Sequence, residues 1–326
     1  MVSTPKGTAG RQRPQRKRTA GTPTSADASA SRSPRPLECI LLPTDFSDGA
    51  ALALRRVLQL PLATNARLHI VHVMSEDLPG KSRARATVKT LLSETVDLVR
   101  SDERSRQLKV TSGVLQGRTF VEIIRCARMI DAALIVIGRH GAGRLHGMHI
   151  GSTAERIVRH GDLPVLVVNA KAARPYRRPM IATALDDSSR QVVTLALRIV
   201  GQVKSIVVLH AYHVAYEGFV FAGTDAAPTD YQLAFKNRAG ASLARFITSL
   251  SNLDVTCEGV LHRGDPRGAI HAATAERRTD LLAIGAHGRT GLPHAILGSV
   301  AEFAIRTVAC DVLVSRPTRE THGDSW

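Results

Sequence analysis

Short continuous apolar runs alternate along this chain with stretches in which apolar residues return every three or four positions. The first pattern fits strands buried on both faces of a sheet, and the second fits the helices that cover it. The order runs strand 38–44, helix 48–60, strand 66–73, a charged segment 82–107 suited to a long surface helix, strand 108–115, a helix starting near 119, strand 134–137, helix 153–159 and strand 164–169. It then returns as strand 179–185, helix 190–201, strand 204–211, a Gly/Ala/Asp-rich excursion 216–230, helix 231–249, strand 253–261, a helix from 265, strand 281–284, helix 300–307 and strand 311–315. Strands alternating with helices predict a mainly parallel sheet with both faces covered. The fold class expected is therefore α/β, as two tandem five-stranded doubly wound domains of Rossmann-like type, spanning 37–170 and 179–316.

Local chemistry supports the helix starts. The first strand of each copy ends at an acidic residue, Asp45 or Asp186, and Ser47 or Ser188 two places later is positioned to cap the following helix. Thr119 with Glu122 three residues on reads as a capping box. Asp265 followed by Pro266 reads as an N-cap with Pro at the first helical position.

Composition narrows the picture. An apolar fraction of 44% suits a globular protein, and no apolar run is long enough to span a membrane. No secretory apolar segment stands at the N-terminus. Cys39, Cys126, Cys257 and Cys310 are far apart and lack metal-like spacing, which predicts free thiols in a reducing cytoplasm. The net charge is +16, but residues 1–36 hold eight Lys/Arg against the single Asp27, so +7 sits on a tail with little to bury. That tail is expected to be disordered, and suited at most to loose, salt-dependent contact with nucleic acid or anionic lipid. Aromatic residues, 4% of the chain, offer no stacking platform for bases. The linker 171–178 is too short to let the domains drift far apart, and 317–326 forms a C-terminal tail.

The strongest functional signal is a glycine pattern present in both copies. Gly138-Arg-His-Gly141 is followed, after nine residues, by Gly151-Ser152; Gly285-Ala-His-Gly288 is followed, after nine residues, by Gly298-Ser299. Each pattern follows a strand and precedes a helix, and it lies 21 residues beyond Gly117 or Gly264 in both copies. Such loops turn backbone N–H groups toward a phosphate, and the next helix start adds its dipole. In a doubly wound sheet the crevice lies beyond the carboxyl ends of the strands where their order reverses. Asp45 and Asp186 then face the glycine loops as carboxylates suited to ribose hydroxyls or an adenine edge. A nucleoside wall and a phosphate wall make a nucleotide site. The lysine-bearing GxxxxGK[ST] loop and the GxGxxG fingerprint are both absent, which argues against a motor-type ATPase or an NAD enzyme.

The run Leu-Pro-Thr-Asp45-Phe-Ser, with Val-His72-Val and Gly138-x2-Gly141-x9-Gly151-Ser, resembles the universal stress protein family, and the resemblance covers both copies. It implies the branch that binds ATP, with or without Mg. Matched by position, it implies Pro43, Thr44, Asp45 and Val73 toward the nucleoside, and Ile137, Gly138, Gly141, Gly151, Ser152 and Thr153 along the phosphates. In the second copy it implies Ala184, Leu185, Asp186, Ala211, Ile284, Gly285, Gly288, Gly298, Ser299 and Val300. Ala184-Leu185 departs from the family's usual residues, as do Arg144, His146 and His149 in the first loop. The resemblance also implies pairing of the copies through their last strands, and leaves open a homodimer of chains.

His72 and His210 sit in apolar strands and read as hydrogen-bonded core residues. No nucleophile–base pair can be assembled, so a cytoplasmic ATP-binding regulator is expected rather than an enzyme. Two competing readings remain: a slow ATPase or nucleotidyl transferase of a related α/β family, and a scaffold without nucleotide whose basic tail binds nucleic acid or a partner.

Overall fold

A computed structural model describes residues 35–76, 81–141, 150–169, 174–214, 228–286 and 297–316. The N-terminal tail up to residue 34, Arg144, His146, His149, the excursion at 215–227, Gly288 and the C-terminal tail lie outside the described residues.

The first half contains β1 (Leu37–Pro43), α1 (Asp48–Val57), β2 (Leu62–Met74), α2 (Lys81–Ser101), β3 (Lys109–Gln116), α3 (Thr119–Met129), β4 (Leu134–Gly138), α4 (Ser152–His160) and β5 (Val165–Val168). The second contains β6 (Pro179–Ala182), α5 (Asp187–Val200), β7 (Ser205–Tyr212), α6 (Pro228–Thr248), β8 (Thr256–Arg263), α7 (Pro266–Glu276), β9 (Leu281–Gly285), α8 (Ser299–Thr307) and β10 (Asp311–Ser315). A 3-10 turn, Glu103–Ser105, closes the long charged segment after α2. Among the described residues no helix is long and apolar enough to cross a membrane.

The two five-stranded halves share one ten-stranded sheet, in the order β3-β2-β1-β4-β5-β10-β9-β6-β7-β8. Every neighbouring pair is parallel except the central one, where β10 runs antiparallel to β5 with Val312 opposite Val167 and Val314 opposite Val165. Alternate side chains feed two separate cores. Ile40, Leu42, Leu134 and Val136 pack with α1, α2, α5 and α6 on one face. Leu41, Ile135 and Ile137 pack with α3, α4, α7 and α8 on the other. Strands apolar at every position are what such two-sided burial requires.

The seam is also held by polar contacts. Asp311, at 0% exposure, accepts from Arg56 Nε (2.8 Å), Tyr176 Oη (2.7 Å) and the Asn169 backbone N–H (2.8 Å). Arg56 lies 4.0 Å from the Tyr176 ring centre and donates to the Arg174 carbonyl, so α1, the linker and both central strands meet at one carboxylate. Burial, with the neighbouring Asp311 charge, pushes the Cys310 thiol up to about 12. It stays protonated and unreactive at neutral pH.

Helix starts match the sequence reading at Ser47, which accepts from Ala50 N, and at Asp265 with Pro266. Two differ. The cap of α5 is Asp186 rather than Ser188, because the chain enters that helix two residues earlier. Thr119 is the first residue of α3, not its cap: Gly117 (φ +140°) turns the chain early and Arg118 takes the cap position without a side-chain bond. Glu122 instead pairs with Arg125 at 3.2 Å.

Candidate functional site

Because β1 and β4 are neighbours, the loops leaving their carboxyl ends open onto a common crevice. A cavity of about 680 Å³ occupies it. All ten positions expected for the first copy line it: Pro43, Thr44, Asp45, Val73, Ile137, Gly138, Gly141, Gly151, Ser152 and Thr153. His72, Thr119, His140, Glu155 and Arg306 line it as well.

The β1 wall is built by two devices. Phe46 adopts a left-handed backbone (φ 60°), which sets Asp45 out from the strand end, and Thr44 Oγ1 accepts from Phe46 N at 3.0 Å. His72 Nδ1 meets the Thr44 carbonyl at 2.8 Å and its ring stacks on Phe46, so the strand histidine braces the loop. Asp45 Oδ1 accepts from the Ser47 N–H at 3.1 Å and is exposed to the cavity.

On the β4 wall, glycine is needed for close approach. A Cβ on Gly138 would run into the backbone of Gly49, at the start of α1. One on Gly141 would stand 2.5 Å from Asp45 Oδ2, so the two walls nearly touch there. The loop closes where Gly151 N–H donates to the Arg139 carbonyl at 2.7 Å. Gly151 caps α4 without any side-chain bond, whereas Ser47, Asp186 and Asp265 cap theirs with side chains. The first amides of α4, at Ser152 and Thr153, thus face the cavity with no side-chain acceptor built in, the arrangement that receives an anion. Gly141→Ala should push the Asp45 carboxylate aside and weaken a ligand held between the walls about fivefold, within the usual cost of overpacking. Calorimetric titration against the unsubstituted protein checks it; an unchanged affinity would show that the two walls do not act together.

A family model described as the universal stress protein family matches residues 37–169 and again 175–316. The chain belongs to the universal stress protein family. A universal stress protein of Mycobacterium tuberculosis is 27% identical over 230 residues, covering 65% of this chain and 67% of the relative. One from Methanocaldococcus jannaschii is 25% identical over 153 residues, covering 40% of this chain and 94% of the relative. The crystal structure of a universal stress protein from Archaeoglobus fulgidus superposes with a TM-score of 0.61 at 18% identity, covering 86% of this chain and 98% of that one, and so shares its fold.

Within this universal stress protein the second half repeats the framework with a changed register. Thr183 N bonds Leu209 O as Thr44 N bonds Val71 O; Thr183 Oγ1 accepts from Leu185 N, and His210 Nδ1 meets the Thr183 carbonyl at 2.9 Å. Leu185 (φ 63°) therefore stands where Phe46 stands. It follows that Ala182, Thr183 and Ala184 occupy the places of Pro43, Thr44 and Asp45. The expected alignment of Ala184, Leu185 and Asp186 with those residues is two positions late. Asp186 matches Ser47 and serves as the helix cap, accepting from Ser189 N (2.9 Å), Ser189 Oγ (2.7 Å) and Ser188 Oγ (2.8 Å). Burial pushes the Asp186 carboxyl up, but these hydrogen bonds outweigh it and hold it below the usual range.

In the second half the described ends of the glycine loop repeat the first. Ala211 sits at the end of β7 and Ile284 and Gly285 at the end of β9, next to β6; Gly298 N–H donates to the Ala286 carbonyl at 2.8 Å. Gly298 caps α8 without a side-chain bond, and Ser299 and Val300 begin that helix.

Sequence reasoning missed Thr119, Glu155 and Arg306 as cavity residues. Glu155 follows Ser152 by one helical turn, a signal present in the sequence. Arg306 belongs to the other half, and its arrival has no local signal.

Proposed function

We propose that the first half binds an adenine nucleotide, ATP with or without Mg, and that the protein acts as a cytoplasmic nucleotide-responsive regulator. The observation that carries this is the joining of an exposed carboxylate, Asp45, and a helix start with no side-chain cap, Ser152–Thr153, across one cavity. Its volume, about 680 Å³, lies inside the range of ligand pockets, roughly 300–1,000 Å³. Apolar Val73, Ile137 and Ile150 suit a base, Asp45 the ribose hydroxyls, and the amides from Ser152 onward the phosphates. The second half offers the phosphate loop with Ala184 in the carboxylate's place, so its site is the weaker one.

The role assigned is binding rather than turnover. Three of the cavity's titratable groups already carry structural bonds: Asp45 Oδ1 from Ser47, His72 with Thr44, and Glu155 with two arginines. Protein purified without added nucleotide should release adenine nucleotide on denaturation, seen by mass spectrometry, and the stripped protein should bind ATP in a calorimeter with one tight event per chain. No released nucleotide together with no heat of binding would overturn the reading. Turnover faster than roughly one per second would favour the enzyme instead.

A further inference from the structure

The antiparallel β5–β10 seam lays α4 and α8 side by side, and their charges form a closed ring. Arg306 Nη2 lies 2.9 Å from Glu155 Oε1 and 3.0 Å from Glu302 Oε1. Arg159 Nη2 lies 3.1 Å from Glu155 Oε1 and 3.3 Å from Glu302 Oε2. Glu155 and Arg159 hold the same places in α4 that Glu302 and Arg306 hold in α8, counted from Ser152 and Ser299. Of these four groups, it is Glu155 and Arg306 that line the first half's cavity, beside Ser152 and Thr153.

We propose that Arg306, from the second half, completes the phosphate end of the first half's site and makes it sensitive to the number of phosphates. The proposal rests on the nucleotide reading above. A carboxylate at the end of a phosphate track repels the terminal phosphates unless a cation answers it. Burial pushes the Glu155 carboxyl up, but hydrogen bonds and charge from Arg159 and Arg306 outweigh this and keep it ionised. Glu155 therefore stays a full negative charge at neutral pH, and Arg306 is the cation on the cavity side that offsets it. Both ion pairs of Arg306 end on Nη2. The planar guanidinium can keep Glu155 there while Nη1 donates to a phosphate oxygen, the two-sided recognition that a lysine ammonium does not reproduce. The side chain is 41% exposed, so this costs no new desolvation of a hidden charge.

The test is calorimetric titration of the full chain with ATP, ADP, AMP and adenosine, following the binding event that Asp45→Ala weakens. Arg306→Gln should lower ATP affinity about tenfold, as expected for a lost charge-assisted contact, with a smaller loss for ADP and adenosine within about twofold of the unsubstituted protein. Retained adenosine binding reports an intact site. Glu302→Gln loosens the same ring but leaves Arg306 on Glu155, and should keep the ATP-to-adenosine ratio. Arg306→Lys, which keeps the charge without the fork, should fall between. Equal losses for all four ligands with Arg306→Gln, no loss for any, or a ratio that collapses with Glu302→Gln as well, would each overturn the proposal while ATP binding by the unsubstituted protein still upheld the nucleotide reading. Failure of the unsubstituted protein to bind ATP or adenosine would remove that reading itself.

Discussion

Replacing Asp311 with Ala should destabilise the folded chain by about 3–5 kcal/mol, the cost of breaking a buried ion pair from one side. Arg56 has a side chain only 4% exposed and would keep its charge with no carboxylate to answer it. The Tyr176 hydroxyl, in a buried residue, and the Asn169 N–H would lose their acceptor too. The loss should show as a lower denaturant midpoint with little change in slope. A combined Arg56→Met and Asp311→Leu variant should recover most of the loss, because an apolar pair of similar volume leaves no orphaned charge. A single-variant loss below about 1 kcal/mol would mean that the seam is held by its apolar strands alone, with the ionic node nearly neutral. The position equivalent to Asp311 in the first half is Pro164, so the node belongs to the seam and not to the repeated fold.

Asp45→Ala should weaken ATP binding by about 10- to 100-fold, the range for losing a hydrogen bond made by a charged group. Ala184→Asp should do the converse in the second half, strengthening its weak event by about tenfold on the same ground. The pair is informative because the two halves share the bracing device. Thr44 with His72, and Thr183 with His210, hold the same carbonyl-to-imidazole contact at 2.8 and 2.9 Å. The next side chain differs, a carboxylate in Asp45 against a methyl group in Ala184. Two-site titration of both variants checks this. Asp45→Ala within about twofold of the unsubstituted protein would remove the carboxylate from the nucleoside wall. Asp186→Ala, by contrast, should cost stability of about 1 kcal/mol as a lost helix cap, with ATP binding in the first half unchanged.

Much of the first site was legible because its signals are local. A glycine pattern between a strand and a helix states where backbone must approach backbone, and Gly138 against Gly49 shows that requirement met. The acidic residue at the end of the first strand was legible for the same reason. In the second copy the same reasoning misassigned Asp186. Asp45-Phe-Ser and Asp186-Asp-Ser look alike as strings, but strand pairing aligns Thr183 with Thr44 and leaves Ala184 opposite Asp45. The Thr119 capping box failed similarly, because the turn at Gly117 brought the helix in one residue early. Such register errors arise where two neighbouring residues could each do the job, and hydrogen bonds to a distant strand choose between them.

By itself the sequence determined the α/β class, the duplication, the two glycine loops and the free thiols, because periodicity, turn residues and cysteine spacing act over a few positions at a time. The tertiary structure decided what depends on contacts between distant segments. It fixed the register and antiparallel sense of the β5–β10 seam, the last-strand pairing that the resemblance implied, and it made Asp186 a cap. It also carried Arg306 from the second half to the first half's cavity. Those outcomes follow from strand pairing and helix packing between residues far apart in the chain, where no local pattern specifies which side chain will face which.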